Sequence, residues 1–218
     1  MLLALRNDKG TVKGGVMYEQ AAGGAILAEL ILEGRVQVVT EGRSTYAVVQ
    51  KHSPLGDVLL DECLEKIATD KRRRKLITWV QKFAGLSRLK HRVAAGLVER
   101  RILRMEEKSV LLIFSRRVYP EIDPTHERRI IDRLRDAIMS DGGTVDPRTS
   151  VLIALGQHAG LLKANFERHF LKPRRPRIEA IAKGDAVGKA TKQAIEAVQA
   201  AVMVAAIMPA VIASSSSG

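Results

Sequence analysis

Between Met17 and Pro176 the chain is cut by helix start and stop signals into apolar segments of helix length, and this punctuation constrains the fold more than any other feature. The stretch Met17 to Leu32 is dense in Ala, Leu and Ile and stops at Gly34, which predicts a largely buried helix with a glycine stop. Asp57 is placed to cap a second helix, in which Val58, Leu59, Leu60, Leu64 and Ile67 recur at helical period with acidic residues between them. A third helix carries Leu76, Ile77, Trp79, Val80 and Phe83 and stops near Gly85. A fourth runs from about Ser87 to Arg100 on Leu89, Val93, Leu97 and Val98. Asp123-Pro124 and Asp146-Pro147 each read as an N-cap followed by proline at the first helical position. Their helices carry Ile130, Ile131, Leu134 and Ile138, then Val151, Leu152, Ile153 and Leu155. Another helix follows Gly160, and Lys172 to Pro176 interrupts the chain before the last ones.

Two places break the helical period. Val36 to Val39 and Tyr46 to Val49 flank Glu41-Gly42-Arg43, a hairpin with a glycine-containing loop. Ile102 to Met105 and Val110 to Phe114 read as the strands of a second hairpin, joined through Glu106 to Ser109. The fold expected is mainly α, a single globular helical domain with two β-hairpins. It spans residues 1–213, with 214–218 a flexible serine-rich tail. The 218 residues are 46% hydrophobic and 28% charged, enough apolar content for a real core and too much for a disordered chain. Ala200 to Ala213 is wholly apolar but only fourteen residues long, against about 20 for a bilayer span, so a buried helix is expected there. The start of the chain lacks the basic region and long apolar run of a signal peptide, and a lone cysteine, Cys63, excludes an internal disulfide. Both point to the cytoplasm.

The net charge of +12 is concentrated. Residues 71–117 hold fifteen Lys or Arg against three Asp or Glu, which accounts for all of it. Charge gathered in one segment makes a local field that attracts anions: a nucleic acid, an acidic protein or an anionic membrane. Within it, Lys71, Arg72, Arg73, Arg74 and Lys75 form the densest run, at the start of the Trp79 helix, where long-range attraction to a charged membrane is the functional reading and a solvated helix terminus the structural one. On the following helix Arg88, Lys90 and Arg92 ride on apolar positions, and Arg88 and Arg92, four apart, share a face. Such a ridge suits phosphate, for which Arg offers a fork of donors and Lys a mobile point charge. Helix, helix, basic helix and hairpin is also the order of a winged helix-turn-helix, with Arg116 and Arg117 just beyond the wing. That reading stands as an alternative, although residues 86–101 contain no Asn or Gln to read bases and nucleic acid is the weaker candidate partner.

Catalytic patterns are thin. His52, His91, His126, His158 and His169 are scattered, with none in a nucleophile or metal motif. His158 reads as a core histidine. Gly14-Gly15 and Gly23-Gly24 fit turns or close helix packing rather than a phosphate loop, and Asp61 and Glu62 are adjacent and therefore diverge on a helix. No enzyme activity, metal or cofactor is called for.

In order along the chain, Leu27-Ala28-Glu29-Leu30, Gly34-Arg35, the heptapeptide Gly56-Asp57-Val58-Leu59-Leu60-Asp61-Glu62 with Leu64, Trp79, Leu97-Val98-Glu99, His158-Ala159 and Asn165-Phe166 resemble the Golgi phosphoprotein 3 family. The resemblance covers nearly the whole chain. It implies a helical globular fold and a peripheral membrane role, with phosphatidylinositol 4-phosphate bound in a basic pocket. It also implies partners among the cytoplasmic tails of membrane proteins, and self-association through the hairpin after the basic helix, here Ile102, Leu103, Leu111, Leu112 and Phe114. The tryptophan and arginine that eukaryotic members place near the first long helix are absent from Thr11 to Gly24, and two arginine positions before the hairpin fall on Ser87 and Lys90. Arg88 and Arg92 stand beside them. The domain-only chain looks like the compact prokaryotic members, so the expectation is reversible attachment to the cytoplasmic face of an anionic membrane. A helical adaptor for acidic or membrane-protein tails is the second alternative.

Overall fold

The computed structural model describes residues 1–7, 9–110, 114–184, 191–196 and 198. They form a mainly helical body with two small antiparallel hairpins. The expected apolar helix at Ala200 to Ala213 and the tail at 214–218 lie outside them.

At the centre is α1 (Tyr18–Leu32), apolar except for Glu19, Gln20 and Glu29, with Leu27, Ala28 and Leu30 fully buried. It packs against α3 (Leu76–Ala84) and α6 (Pro147–His158). The α1–α3 crossing is close because Gly23 has no side chain: a Cβ there would sit 2.7 Å from the Val80 carbonyl oxygen and 2.8 Å from the Ala84 nitrogen. The helix ends as expected, with Gly34 at φ +65°. Next comes the hairpin of β1 (Val36–Glu41) and β2 (Ser44–Val49), turned by Gly42 at φ +57°. Its register pairs Val36 with Val49 and Val38 with Ala47, so one face reaches the core.

The helix α2 (Val58–Thr69) begins on Asp57, whose Oδ1 accepts from the Leu59 and Leu60 amides, both at 2.9 Å. It packs on β2 and α1. After α3 comes α4 (Leu89–Glu99), then a hairpin of β3 (Glu106–Val110) and β4 (Phe114–Val118). The carboxyl-terminal part is helical: α5 (Thr125–Met139), α6, α7 (Leu161–Asn165), α8 (Arg168–Leu171) and α9 (Arg175–Lys183). Asp146 caps α6 as its sequence predicts, accepting from the Thr149 amide at 2.8 Å, with Pro147 in the first turn. At α5 the order is shifted by one: Pro124 is the N-cap, and Asp123 accepts from the Thr125 amide at 2.9 Å.

The second hairpin lies about four residues further along than the apolar pattern predicts. Glu106 to Ser109, expected as its turn, are strand residues, and Glu106 pairs with Val118. Ile102 and Leu103 precede the strands and are buried, 4% and 1% exposed. They form a second core cluster with Leu2, Leu5, Ala94 and Tyr119, which ties the amino-terminal segment to α4 and the hairpin root. Neither is therefore a surface residue of the hairpin. Leu111 and Leu112 lie outside the described residues, and Phe114 enters as the first residue of β4. Its middle, Glu107 to Ser109 on β3 and Ser115 to Arg117 on β4, is polar and exposed, with Glu107 and Arg117 opposite each other and joined by an ion pair at 3.3 Å.

Candidate anion-binding surface

The structure divides the fifteen cations of residues 71–117 into those that hold the fold together and those left open. The run Lys71 to Lys75 is a connection between α2 and α3 rather than a helical face, with Lys75 as the N-cap of α3. Arg74 pairs with Asp70, the residue after α2, and Lys82 of α3 joins the same carboxylate at 3.3 Å. Arg73 pairs with Glu41 of β1 and lies 5.0 Å over the Tyr46 ring of β2. The two central arginines therefore fasten this connection to α2 and to the first hairpin. Lys71, Arg72 and Lys75 are exposed, with no acidic partner among the described residues. An open cleft of about 500 Å³ lies between this connection and the first hairpin, with Val39, Val48, His52, Arg72 and Arg73 among its walls. Arg88, Lys90 and Arg92 do not line it.

The second group sits at the start of α4. Arg88 precedes the helix at φ +54°, ψ +29°, a left-handed conformation unfavourable by roughly 1 kcal/mol for a residue other than glycine. Its carbonyl accepts the Arg92 amide at 3.0 Å, the first bond of the helical ladder. The expectation that Arg88 and Arg92 form one cationic ridge is thus corrected: Arg88 lies outside the helix, and Arg92 is engaged. Both Arg92 Nη atoms donate to the Glu62 carboxylate of α2, and this hydrogen bond holds the Glu62 carboxyl below its ordinary range. The guanine contact that a DNA-binding reading asks of Arg92 is therefore already occupied by protein. Arg88 and Lys90 keep no acidic partner among the described residues.

Next to Lys90 stands a histidine to which no sequence motif gives a role. His91 is half-buried, with Nδ1 2.6 Å from the Tyr119 hydroxyl and the two rings packed at 5.6 Å between centroids. Tyr119 follows β4 directly and is only 3% exposed, so the pair joins α4 to the hairpin root. Burial, then the charges of Lys90, Arg117 and Arg88, push the imidazole below its ordinary value. Arg88 and Lys90 precede it at the start of α4, and Arg117 belongs to β4, the strand that leads into Tyr119. Arg116 is exposed and unpaired among the described residues, whereas Arg117 is bridged to Glu107.

The remaining candidates are structural. Cys63 is buried, and burial pushes its thiol up to about 12, so it is not a thiolate nucleophile. His158, expected in the core, is exposed as the last residue of α6. Among the described residues no group of three or more His, Cys, Asp or Glu is arranged to hold a metal ion, and no helix is long and apolar enough to cross a membrane.

The sequence matches the family model described as Golgi phosphoprotein 3 (GPP34) over residues 1–198, which takes in both hairpins, the α4 start and nearly all of the described core. With a mainly helical body carrying two small antiparallel hairpins, and a family match across nine-tenths of its length, the chain belongs to the Golgi phosphoprotein 3 family.

Proposed function

We propose that this protein is a peripheral membrane binder that recognises anionic phospholipid headgroups with Arg88 and Lys90, and that it is not an enzyme. The observation that carries the reading is the pair of cations at the α4 start, Arg88 and Lys90, that have no acidic partner among the described residues while neighbouring Arg92 is neutralised by Glu62. Arg88 and Lys90 are matched to phosphate oxygens, one through a planar fork and the other through a mobile ammonium. Arg92 acts as a positioning residue, because its bond to Glu62 fixes α4 against α2. Lys71, Arg72 and Lys75 add attraction at longer range. Each basic residue near an anionic bilayer contributes about 1 kcal/mol, so several hold a protein reversibly without a lipid anchor. Family membership supports a phosphoinositide as the preferred headgroup, phosphatidylinositol 4-phosphate by resemblance, at the cytoplasmic face of a membrane. Family resemblance also supports protein tails of membrane proteins, and a second copy of the chain, as further partners.

Flotation with phosphatidylcholine vesicles, with and without phosphatidylglycerol or phosphatidylinositol 4-phosphate, tests this reading. The protein is expected to float with the anionic vesicles only and to be released by high salt. Equal recovery with neutral vesicles would overturn it.

A further inference from the structure

The cleft between the Lys71 to Lys75 connection and the first hairpin is lined by none of the α4-start cations, and it has the make-up of a small-ligand site. Its volume of about 500 Å³ falls within the roughly 300–1,000 Å³ of such sites, which combine mostly apolar walls with a few placed polar groups. The apolar walls include Val39 of β1, Val48 of β2, Ile67 of α2 and Trp79 of α3. Four charged residues also line it, Asp70, Arg72, Arg73 and Arg74, and the fold uses them unequally. Asp70 is neutralised by Arg74 and, at 3.3 Å, by Lys82 of α3. Arg73 pairs with Glu41, but the two side chains are 42% and 56% exposed, and such a pair exchanges its partner at little cost. Arg72 has no acidic partner among the described residues. The charge that the walls leave uncompensated is therefore positive. A second observation comes from Trp79, which is 1% exposed and whose indole Nε1 is buried without an acceptor among the described residues. Buried donors in folded proteins are satisfied with few exceptions, so an unmet one in a cleft wall points to an acceptor from outside the chain.

We propose that this cleft binds a small organic anion, a carboxylate or phosphate monoester on an aliphatic body, with Arg72 holding the anionic group and Val39, Val48, Ile67 and Trp79 covering the body. The two parts of the site require both parts of the ligand. An inorganic anion would leave the apolar walls uncovered, and a neutral apolar molecule would leave Arg72 unmet. Arg72 suits either head group, because a guanidinium donates two parallel bonds to carboxylate or phosphate oxygens. The body contributes through the apolar area it removes from water, so affinity should rise about threefold with each methylene until the cleft is full. A lipid embedded in a bilayer is the wrong occupant, since it offers the protein its head group while its apolar chains stay in the membrane. The site is thus additional to the headgroup cations of α4, and the proposal does not depend on the membrane-binding reading.

The protein has a single tryptophan, and it stands in the cleft wall, so its indole N–H resonance and its fluorescence report on the site. Octanoate and octyl phosphate, kept below the concentrations at which they form micelles, are the probes. Octanol supplies the body without the charge, and acetate and inorganic phosphate supply the charge without the body. In wild-type protein the indole signal should shift saturably with octanoate or octyl phosphate, and the stronger of the two names the head group. Hexanoate should bind roughly tenfold more weakly than octanoate, two methylenes fewer. Octanol, acetate and phosphate should bind at least about tenfold more weakly than the amphiphilic anions. Arg72→Ala removes an exposed side chain that no ion pair ties to the fold, and it should weaken binding about tenfold or more. Arg129→Ala, exposed on α5 and outside the cleft walls, should leave it unchanged. An indole signal that neither amphiphile moves in wild-type protein overturns the proposal, as does equal binding of octanol or full affinity in Arg72→Ala. A shift produced by an acidic peptide and by neither amphiphile also overturns it and gives the cleft to a protein segment. Each of these outcomes is read without vesicles, so it leaves the flotation result to decide membrane binding separately.

Discussion

The segment Lys71 to Lys75 holds five consecutive cations and the stretch Arg88 to Arg92 only three, yet they leave three and two unpaired among the described residues. The difference is consumed by architecture. Arg73 and Arg74 close the connection onto Glu41 and Asp70, whereas at the second segment only Arg92 is spent, on Glu62. Both segments are thus tied to α2, through Glu62 within it and Asp70 at its end. The lesson is that the density of charge along a sequence does not measure the charge a surface offers. An acidic residue thirty positions away decides which cation is free.

The largest effect expected of this difference is on membrane binding. Replacing Arg88 and Lys90 together with Ala should weaken attachment to anionic vesicles by about 2 kcal/mol, roughly 30-fold, with no loss of thermal stability. Relief of the left-handed backbone at position 88 needs glycine rather than alanine, so Arg88→Gly should bind more weakly while melting slightly higher. Replacing Lys71, Arg72 and Lys75 should cost less, and only at low salt, because a contribution made over a Debye length of about 10 Å is screened first. If the triple variant loses more than the double one at physiological salt, the first segment is the headgroup site and the comparison is inverted.

Next in size is a stability effect that the second segment should not share. Arg73→Ala with Arg74→Ala removes two ion pairs and a cation–π contact, and should lower the melting temperature by about 3 °C while leaving vesicle binding close to wild type. Differential scanning calorimetry beside flotation separates the two roles. A loss of binding with no change in melting would mean that the inner arginines face lipid and not the protein.

The parts of this division that could be read from the sequence are those with local causes. The Asp57 cap, the Gly34 stop, the Gly42 turn and the Asp146-Pro147 start each depend on residues within a few positions, and each lies where its residues put it. The second hairpin was misplaced because Ile102 and Leu103 have strand-like composition but are drawn into a cluster with Leu2, Leu5 and Tyr119, which only the tertiary fold assembles. The same holds at the site. Arg92 and Glu62 are 30 residues apart, and His91 and Tyr119 are 28 apart, so neither pair has a signal in helical period or spacing. Exposure of His158 is likewise settled by the face α6 turns to α1 and α9, since that helix is apolar enough to bury almost any of its sides.

The smallest effect is a pH dependence that the two segments should show differently. The hydrogen bond from Arg74, then the Arg72 amide at 3.0 Å and the Lys82 ammonium at 3.3 Å, hold the Asp70 carboxyl well below the usual carboxylate range. In the unfolded chain the same group titrates near 3.9, so on acidification the unfolded state takes up the proton first. The stabilisation is present in full above about pH 5 and is lost progressively as pH falls through about 4 and below. Asp70→Asn should therefore melt a few degrees below wild type at neutral pH, with the gap closing as the solution is acidified. The Arg88→Ala, Lys90→Ala protein, which has lost no such carboxylate partner, should track wild type over the same range. A constant gap for Asp70→Asn would mean that Asp70 acts through the shape of its hydrogen bonds and not through its charge. The inner arginines would then be held by geometry that an asparagine reproduces only in part.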